Sequence, residues 1–343
     1  MTSNKSLATS LVSLSAGLLL TLSAAGGATA SPAKAQDPVQ PQIASATLTT
    51  STAASYWTPE RMRAAVPGDV LAAKAVARQV IVPWQVKGPQ QLNGNGLAGL
   101  GEQGSLTKIA GTSGKGKTSA LHKDELPVSH IGKVFFTLGG ANYVCSGNSV
   151  AARNKSTVST AGHCLNQGPG AFATNFIFVP AYNDGEAPYG KWAAKTLFAP
   201  KEWSTDGNIQ YDTGFAVVAE LDGQKLADVV GATGVVFNQS RGLTYKAFGY
   251  PAASPFTGKT LVSCYGKAGN DAVNPQFNTQ GIPCDMTGGS SGGPWFLAES
   301  TDSPLGFQNS VNSYGYGSRS TAMYSPYWGS VIEQVYKRAA AAS

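Results

Sequence analysis

Cys284 to Phe296 reads CDMTGGSSGGPWF, with Ser290 and Ser291 side by side among Gly288, Gly289, Gly292 and Gly293. Glycine at that density packs poorly and exposes a backbone turn, so the stretch suits a serine presented to a reactant. A hydroxyl is a weak nucleophile at neutral pH and needs an imidazole base, itself oriented by a third group. The chain has three histidines. His122 and His130 flank the start of a strand-rich region, outside any turn of small residues, and read as surface or loop side chains. His163, in STVSTAGHCL, ends a short strand beside the Ala161-Gly162 turn and a cysteine that can pin it. For the orienting acid, Asp212 in YDTGFAVVA stands immediately before an apolar strand, where a buried carboxylate requires a partner. That partner is His163 on this reading, and the remaining acids read as solvated surface.

Chain order then separates two hydrolase architectures. GSSGG, residues 289 to 293, also fits the G-x-S-x-G nucleophile elbow, but that architecture places its histidine after the serine. All three histidines precede Gly289, which excludes the elbow. With Ser291 as nucleophile, its own N–H and that of Gly289 can converge on a developing oxyanion, and such preorganised donors contribute roughly 3 kcal/mol each. With Ser290 the preceding donor would come from Gly288, so Ser291 is preferred.

The elements that must position these groups follow from pattern. Lys5, the apolar run Leu11 to Leu22 and Ala28-Thr29-Ala30 form a secretory signal peptide over residues 1–30. The run is short of the ~20 apolar residues a membrane span needs, so no membrane partner is expected. Residues 31–120 form a pro-segment. Its first part, to about Thr52, is rich in Ala, Ser, Thr, Pro and Gln and is expected to be disordered. YWTPERMRAAV follows, with Thr58 as a cap, Pro59 at the first helical position, and Met62, Ala65 and Val66 on one face. DVLAAKAVARQV is a second helix, and glycine-dominated residues 88–117 are a protease-accessible linker.

After Leu126 come short strand-like runs, among them IGKVFFTL, NYVCSGNSV, STVST, NFIFVP, GVVFN, TYKAFGY, KTLVSCYG and GPWFLA, with a hairpin signal at Gly139-Gly140. They predict an all-β barrel or sandwich. Trp328, Val331, Ile332, Val335 and Tyr336 recur at helical spacing and predict a closing amphipathic helix. The domain therefore spans 121–343. Residues 1–126 carry 11 Lys/Arg against 6 Asp/Glu, and 127–343 carry 14 against 13. The domain is nearly neutral, and nothing in it argues for a nucleic-acid partner.

Four cysteines in a secreted chain suggest two disulfides. Pairing Cys145 with Cys164 and Cys264 with Cys284 is the simplest of three connectivities, each bridge contributing roughly 3 kcal/mol on the chain-entropy estimate. A zinc site fails on spacing, since no CxxC or CxH pair exists. No cofactor is expected. Asp184 and Glu186 in YNDGEAPYG are read as a solvated turn rather than a calcium site.

STAGHC, DTGFAVV and GSSGGP resemble the three signature segments of the chymotrypsin-like (trypsin-fold) serine peptidases, over about residues 127–340. CDMTGGSSGGP is closer to the bacterial glutamyl-endopeptidase-like branch. The Cys145–Cys164 pairing also resembles the family's bridge beside its catalytic histidine. The resemblance implies two six-stranded antiparallel β-barrels with the active site between them, His163 and Asp212 from the first and Ser291 from the second. It implies attack by Ser291 on a peptide carbonyl, proton transfer by His163, and Asp212 holding the imidazole tautomer. The product of that reading is a secreted, monomeric serine endopeptidase acting on proteins or peptides.

Departures from the family pattern bear on activation and specificity. Ser290 stands where mammalian members carry the aspartate that receives a new N-terminal ammonium, so that ion-pair switch is not available. Asp285, six residues before Ser291, holds the place of the acid that selects Arg or Lys, yet Cys284 does not sit where the family's loop cysteine does. Glutamate-selecting relatives use a pocket histidine that this chain lacks beyond His163. NSVNSYGYG is expected to form a pocket wall, with Ser313, Tyr314 and Gly315 resembling the family's Ser-Trp-Gly strand. Two rival functions are a non-catalytic homologue that binds protein or cell-wall material through the cleft, which would typically have lost a triad member, and an esterase using the same triad.

Overall fold

The computed structural model describes residues 42–79 and 121–343; the expected signal peptide and glycine-rich linker lie outside them. The N-terminal described segment runs β1 (Ile43–Thr47), α1 (Ala53–Tyr56), α2 (Pro59–Ala64), β2 (Val66–Pro67) and α3 (Asp69–Gln79). Thr58 caps α2 by accepting from the Arg61 N–H, with Pro59 at the first helical position, where a missing N–H costs nothing. Met62 and Leu71 are buried, whereas Val66 is exposed. The expected disorder up to Thr52 is not found from Ile43 onward. β1 pairs antiparallel along the far end of a barrel strand, Ile43 opposite Pro200 and Thr47 opposite Thr196. A low-hydrophobicity stretch needs little core of its own when its backbone hydrogen bonds are supplied by a ready-made sheet edge.

After the short β3 (Lys123–Glu125) come β4 (Ile131–Leu138), β5 (Ala141–Val150), β6 (Thr157–Thr160), β7 (Thr174–Pro180), β8 (Trp192–Pro200) and β9 (Gly214–Val218). The order β8-β7-β4-β5-β6-β9, closed by β9 on β8, makes a six-stranded antiparallel barrel. Gly139 and Gly140 turn β4 into β5 with positive φ angles, as the hairpin signal predicts. β4 is buried on both faces, which is why IGKVFFTL is an unbroken run rather than an alternating one. Val134, Phe136 and Leu138 point into the barrel. Ile131 and Phe135 point outward into a second cluster shared with Trp57, Met62, Phe248, Tyr250 and Phe296.

The second half is less closed. β10 (Thr244–Gly249) and β11 (Leu261–Lys267) join two later strands and β3 in a five-stranded sheet. β12 (Gly269–Asn270) and β13 (Gln280–Pro283) join the last strand in a three-stranded one. Those later strands are β14 (Pro294–Leu297), β15 (Gln308–Val311) and β16 (Ala322–Ser325). The architecture is a chymotrypsin-like double barrel whose second member is divided into these two sheets. GVVFN is not a strand. Val235 makes one isolated bridge to Gln308, and Phe237 stacks on Trp328 at 5.4 Å instead. The chain ends in the predicted helix, Ser330–Ala341, burying Ile332, Val335 and Tyr336. Among the described residues no helix is long and apolar enough to cross a membrane. Both sequential disulfides, Cys145–Cys164 and Cys264–Cys284, are formed.

Candidate active site

His163 lies in the single 3-10 turn Gly162–Cys164 that follows β6, pinned by Cys164 to Cys145 on the neighbouring strand β5. The turn approaches Asp212 closely enough that a Cβ on Gly162 would fall 3.0 Å from Asp212 Oδ1 and 2.8 Å from the Trp203 ring. Asp212 precedes β9 and is fully buried. Its Oδ1 accepts from the His163 backbone N–H at 2.7 Å, and its Oδ2 pairs with His163 Nδ1 at 2.7 Å. Ser313 Oγ also donates to Oδ2. A carboxylate excluded from water is thereby supplied with three donors, which is what its burial requires. An Nδ1–H held by Asp212 leaves Nε2 as the basic nitrogen, and Nε2 is buried with no hydrogen-bond partner among the described residues.

Ser291 comes from the other half, in the turn before β14. The turn is carried by β5: the Ser146 N–H donates to Ser291 O at 2.7 Å, and Ser146 Oγ donates to Gly289 O at 2.9 Å. Gly289 (φ 96°) and Gly292 (φ 82°) adopt backbone that L side chains avoid, and a Cβ on Gly292 would strike Thr160 Oγ1 at 2.1 Å. Ser290 Oγ is turned back to Thr287 O at 2.8 Å. Ser291 Oγ has no such tie, and among the described residues the N–H groups of Gly289 and Ser291 donate to nothing. The turn presents one untied hydroxyl and two unspent N–H donors, and its Ser291 O lies 3.9 Å from the Sγ of Cys164, the residue after His163; two such donors are a set suited to holding an oxyanion.

The other sequence-predicted residues divide. Ser313 serves Asp212 and is buried, so its hydroxyl does not face the cleft. Tyr314 is also buried, its hydroxyl bonded to Asp271 Oδ2 at 2.7 Å and to Thr279 at 2.8 Å. Burial and the Asp271 carboxylate hold its phenol well above the ordinary range. Gly315 sits against Ser320, at 3.0 Å from a Cβ it lacks. Asp285 is bonded to His122 Nδ1 at 2.8 and 2.9 Å. His122 is therefore a carboxylate partner, and His130 is not at the surface either: it is buried, with Nδ1 bonded to Asn148 Oδ1 at 2.8 Å. Asp184 is paired with Lys259 at 2.9 Å. Cys145 and Cys164 lie near His163, but their sulfurs are joined to each other.

The sequence gives no sign of what lies over these groups. Gly68 donates to Val144 O at 2.9 Å, and a Cβ on it would stand 3.8 Å from His163 Cδ2. Asp69, opening α3, places its carboxylate over Gly288, 2.0 Å from where a Cβ there would stand. Burial raises the Asp69 carboxyl, opposed by His163. Ala72, Ala75 and Val76 then pack with Trp203, Tyr314 and Tyr324.

Several solved structures resemble this chain. The protease Anisep from Arthrobacter nicotinovorans is 70% identical over 65% of this chain and 100% of its own, with a TM-score of 0.63. The thermostable serine protease AL20 from an extremophilic microorganism is 50% identical, over 63% of this chain and 98% of its own, with a TM-score of 0.60. A Glu endopeptidase, 19% identical with a TM-score of 0.50 and covering 65% and 98%, shares the fold. Among curated proteins, an extracellular metalloprotease of Bacillus subtilis (strain 168) is 29% identical over 119 residues. The chain spans about a third of that relative's length, 36%. No protein-family model matches.

Proposed function

We propose that this chain, which belongs to the chymotrypsin-like serine proteases, is a secreted, monomeric endopeptidase made as a zymogen and acting through an acyl-enzyme on Ser291. The observations that support the reading are the buried Asp212–His163 pair and, on a turn whose Ser291 O lies 3.9 Å from the Sγ of Cys164, a serine with an untied hydroxyl and, among the described residues, unspent N–H donors. Ser291 Oγ attacks a peptide carbonyl carbon while His163 Nε2 takes its proton. The N–H groups of Gly289 and Ser291 receive the oxyanion, and His163 returns the proton to the leaving amine. Asp212 keeps Nδ1 protonated throughout and stabilises the imidazolium. Water repeats the sequence on the ester.

The zymogen reading rests on the segment over the cleft. Residues 62–68 lie on the Val144 side, Asp69 at Gly288, and Ala72 to Val76 on the Tyr314 side. The segment thus covers the turn that carries Ser291 and the ground on either side of it, and on this reading has to leave before a substrate can enter. The share covered by the Arthrobacter protease, 65% of 343 residues, is the length of 121–343 and supports a mature form beginning near there.

The test is intact-mass analysis of the secreted protein after diisopropyl fluorophosphate, beside Ser291→Ala and a peptide-library digest. One adduct that vanishes in the variant, with cleavage in the library, is the expected result. Processed, folded protein that forms no adduct would overturn the assignment, and an uncut chain that labels as fast as processed protein would overturn the zymogen reading.

A further inference from the structure

Lys133 is the one feature of the barrel wall that its own packing does not explain. It shares the outward face of β4 with Phe135, in an apolar cluster that also takes in Trp57, Met62 and Tyr250. A buried lysine ordinarily has a carboxylate beside it, and among the described residues Lys133 pairs with none. Its ammonium donates to Gly258 O at 2.9 Å and lies 4.5 Å over the Tyr182 ring and 5.3 Å from that of Phe135. An ammonium has three donors, and among the described residues one of them is met, by Gly258 O. Gly258 has φ 72°, and a Cβ there would stand 3.2 Å from Lys133 Nζ, so glycine is what admits the ammonium.

This ammonium borders a cavity of about 330 Å³ whose walls include Lys133, Val144, Tyr182, Ala252 and Gly258, with Met62 and Ala65 closing it from the N-terminal segment. Two of those walls adjoin the reacting groups. Val144 precedes Cys145, which is bridged to the residue after His163. Ala252 donates to Gly288 O at 2.6 Å and would touch a Cβ on Gly289 at 2.8 Å. Along the N-terminal segment Met62 and Ala65 reach the cavity, Asp69 the nucleophile turn and Ala72 to Val76 the Tyr314 side, so the cavity and Tyr314 lie at opposite ends; with Tyr314 taken as the acyl-side wall that its resemblance implies, the cavity falls to the leaving-group half. Asp184, the one acid on its rim, is held by Lys259.

We propose that the Lys133 cavity is a subsite that takes an acidic side chain from the leaving-group half of a peptide substrate once Met62 and Ala65 have withdrawn. The inference rests on the endopeptidase reading and names a substrate preference for it. Three residues separate Asp69, at the nucleophile turn, from Ala65, at the cavity. The acidic residue accordingly falls among the first three after the scissile bond.

The full chain is expressed, allowed to process, and counted by diisopropyl fluorophosphate titration, so that each preparation is normalised to its own active sites. Internally quenched, C-terminally amidated peptides share one acyl half and carry Glu, Gln or Leu at each of the first three positions after the bond. At one of these positions kcat/KM is expected to be about tenfold or more higher for Glu than for Gln, the scale of a charge-assisted hydrogen bond. Lys133→Met should bring that ratio to about one, and Lys133→Arg should keep part of it. A Glu/Gln ratio near one at all three positions, or the same ratio in Lys133→Met as in the natural chain, overturns the subsite. No adduct on Ser291 overturns the endopeptidase reading and the subsite with it, whereas an adduct with a flat ratio overturns the subsite alone.

Discussion

The two halves that meet at Ser291 treat their polar groups differently. In the closed barrel both oxygens of Asp212 are occupied, by the His163 backbone, the His163 ring and Ser313. In the second half the Ser291 hydroxyl and the Gly289 and Ser291 N–H groups are left open, although the turn that carries them is bonded at Ser146 and Thr287. The difference teaches that rigidity and satisfaction are separate design quantities. The orienting groups need both, because a buried carboxylate without donors would be costly. The reacting groups need rigidity alone, because their partners arrive with the substrate.

Breaking the open side should cost most. Ser291→Ala is expected to lower kcat by about 10⁶-fold, read by hydrolysis of a peptide substrate against active-site-titrated natural enzyme. Breaking the orienting side at its centre comes next. Asp212→Asn should cost about 10⁴ in kcat by favouring the wrong tautomer, with KM little changed. Ser313→Ala sharpens the comparison, since it leaves the carboxylate two of its three donors. A loss of about 10 to 100-fold in kcat is expected, on the scale of one hydrogen bond to a buried charge. A loss below twofold would mean that the orienting side is over-supplied.

Two smaller effects lie away from the triad. Burial holds Lys133 down at about 8. A lysine depressed in the folded state costs stability while charged, and that cost fades as pH rises from about 8 towards its ordinary value near 10.4. Lys133→Met should therefore raise unfolding stability at pH 7 by about 1–3 kcal/mol, with the gain shrinking above pH 8 in denaturant melts. Asp69 has the opposite slope. Its carboxyl is raised by burial against the Gly288 turn, so docking is strongest when it is protonated and weakens as pH rises through the raised value. In the Ser291→Ala chain, Asp69→Asn should hold α3 a few-fold more protected from hydrogen exchange near neutral pH and remove the pH dependence.

Much of the site was legible because its chemistry restricts residue types. One histidine beside a small-residue turn, one aspartate before an apolar strand and one serine pair among four glycines are few enough to find in a list of letters. β4 as a strand and the closing helix were legible from runs and periodicity. What escaped notice depends on partners far away in the chain. Nothing in IASAT predicts a strand, because its order comes from the backbone of β8. His130 reads as a loop residue until Asn148 is across from it. Lys133 reads as an interruption in an apolar run, and Asp271 as a turn acid, until the rings of Tyr182 and the hydroxyls of Tyr314 and Tyr316 gather around them. GVVFN misled in the other direction, since apolar content reports burial and not hydrogen-bond partners.

The pairing of β1 with β8 bears on how activity would emerge over time. Cutting the chain between residues 79 and 121 severs a tether, but it removes neither that strand pairing nor the anchoring of Trp57, whose indole N–H donates to Asn175 O at 2.6 Å. The fragment would remain seated at first, as a non-covalent complex rather than a free product. Before the cut, reseating is a first-order event; afterwards it is second-order and depends on how much protein is in the volume. Scission and onset of turnover are then separate clocks, and a burst of secreted enzyme would switch on by spreading out.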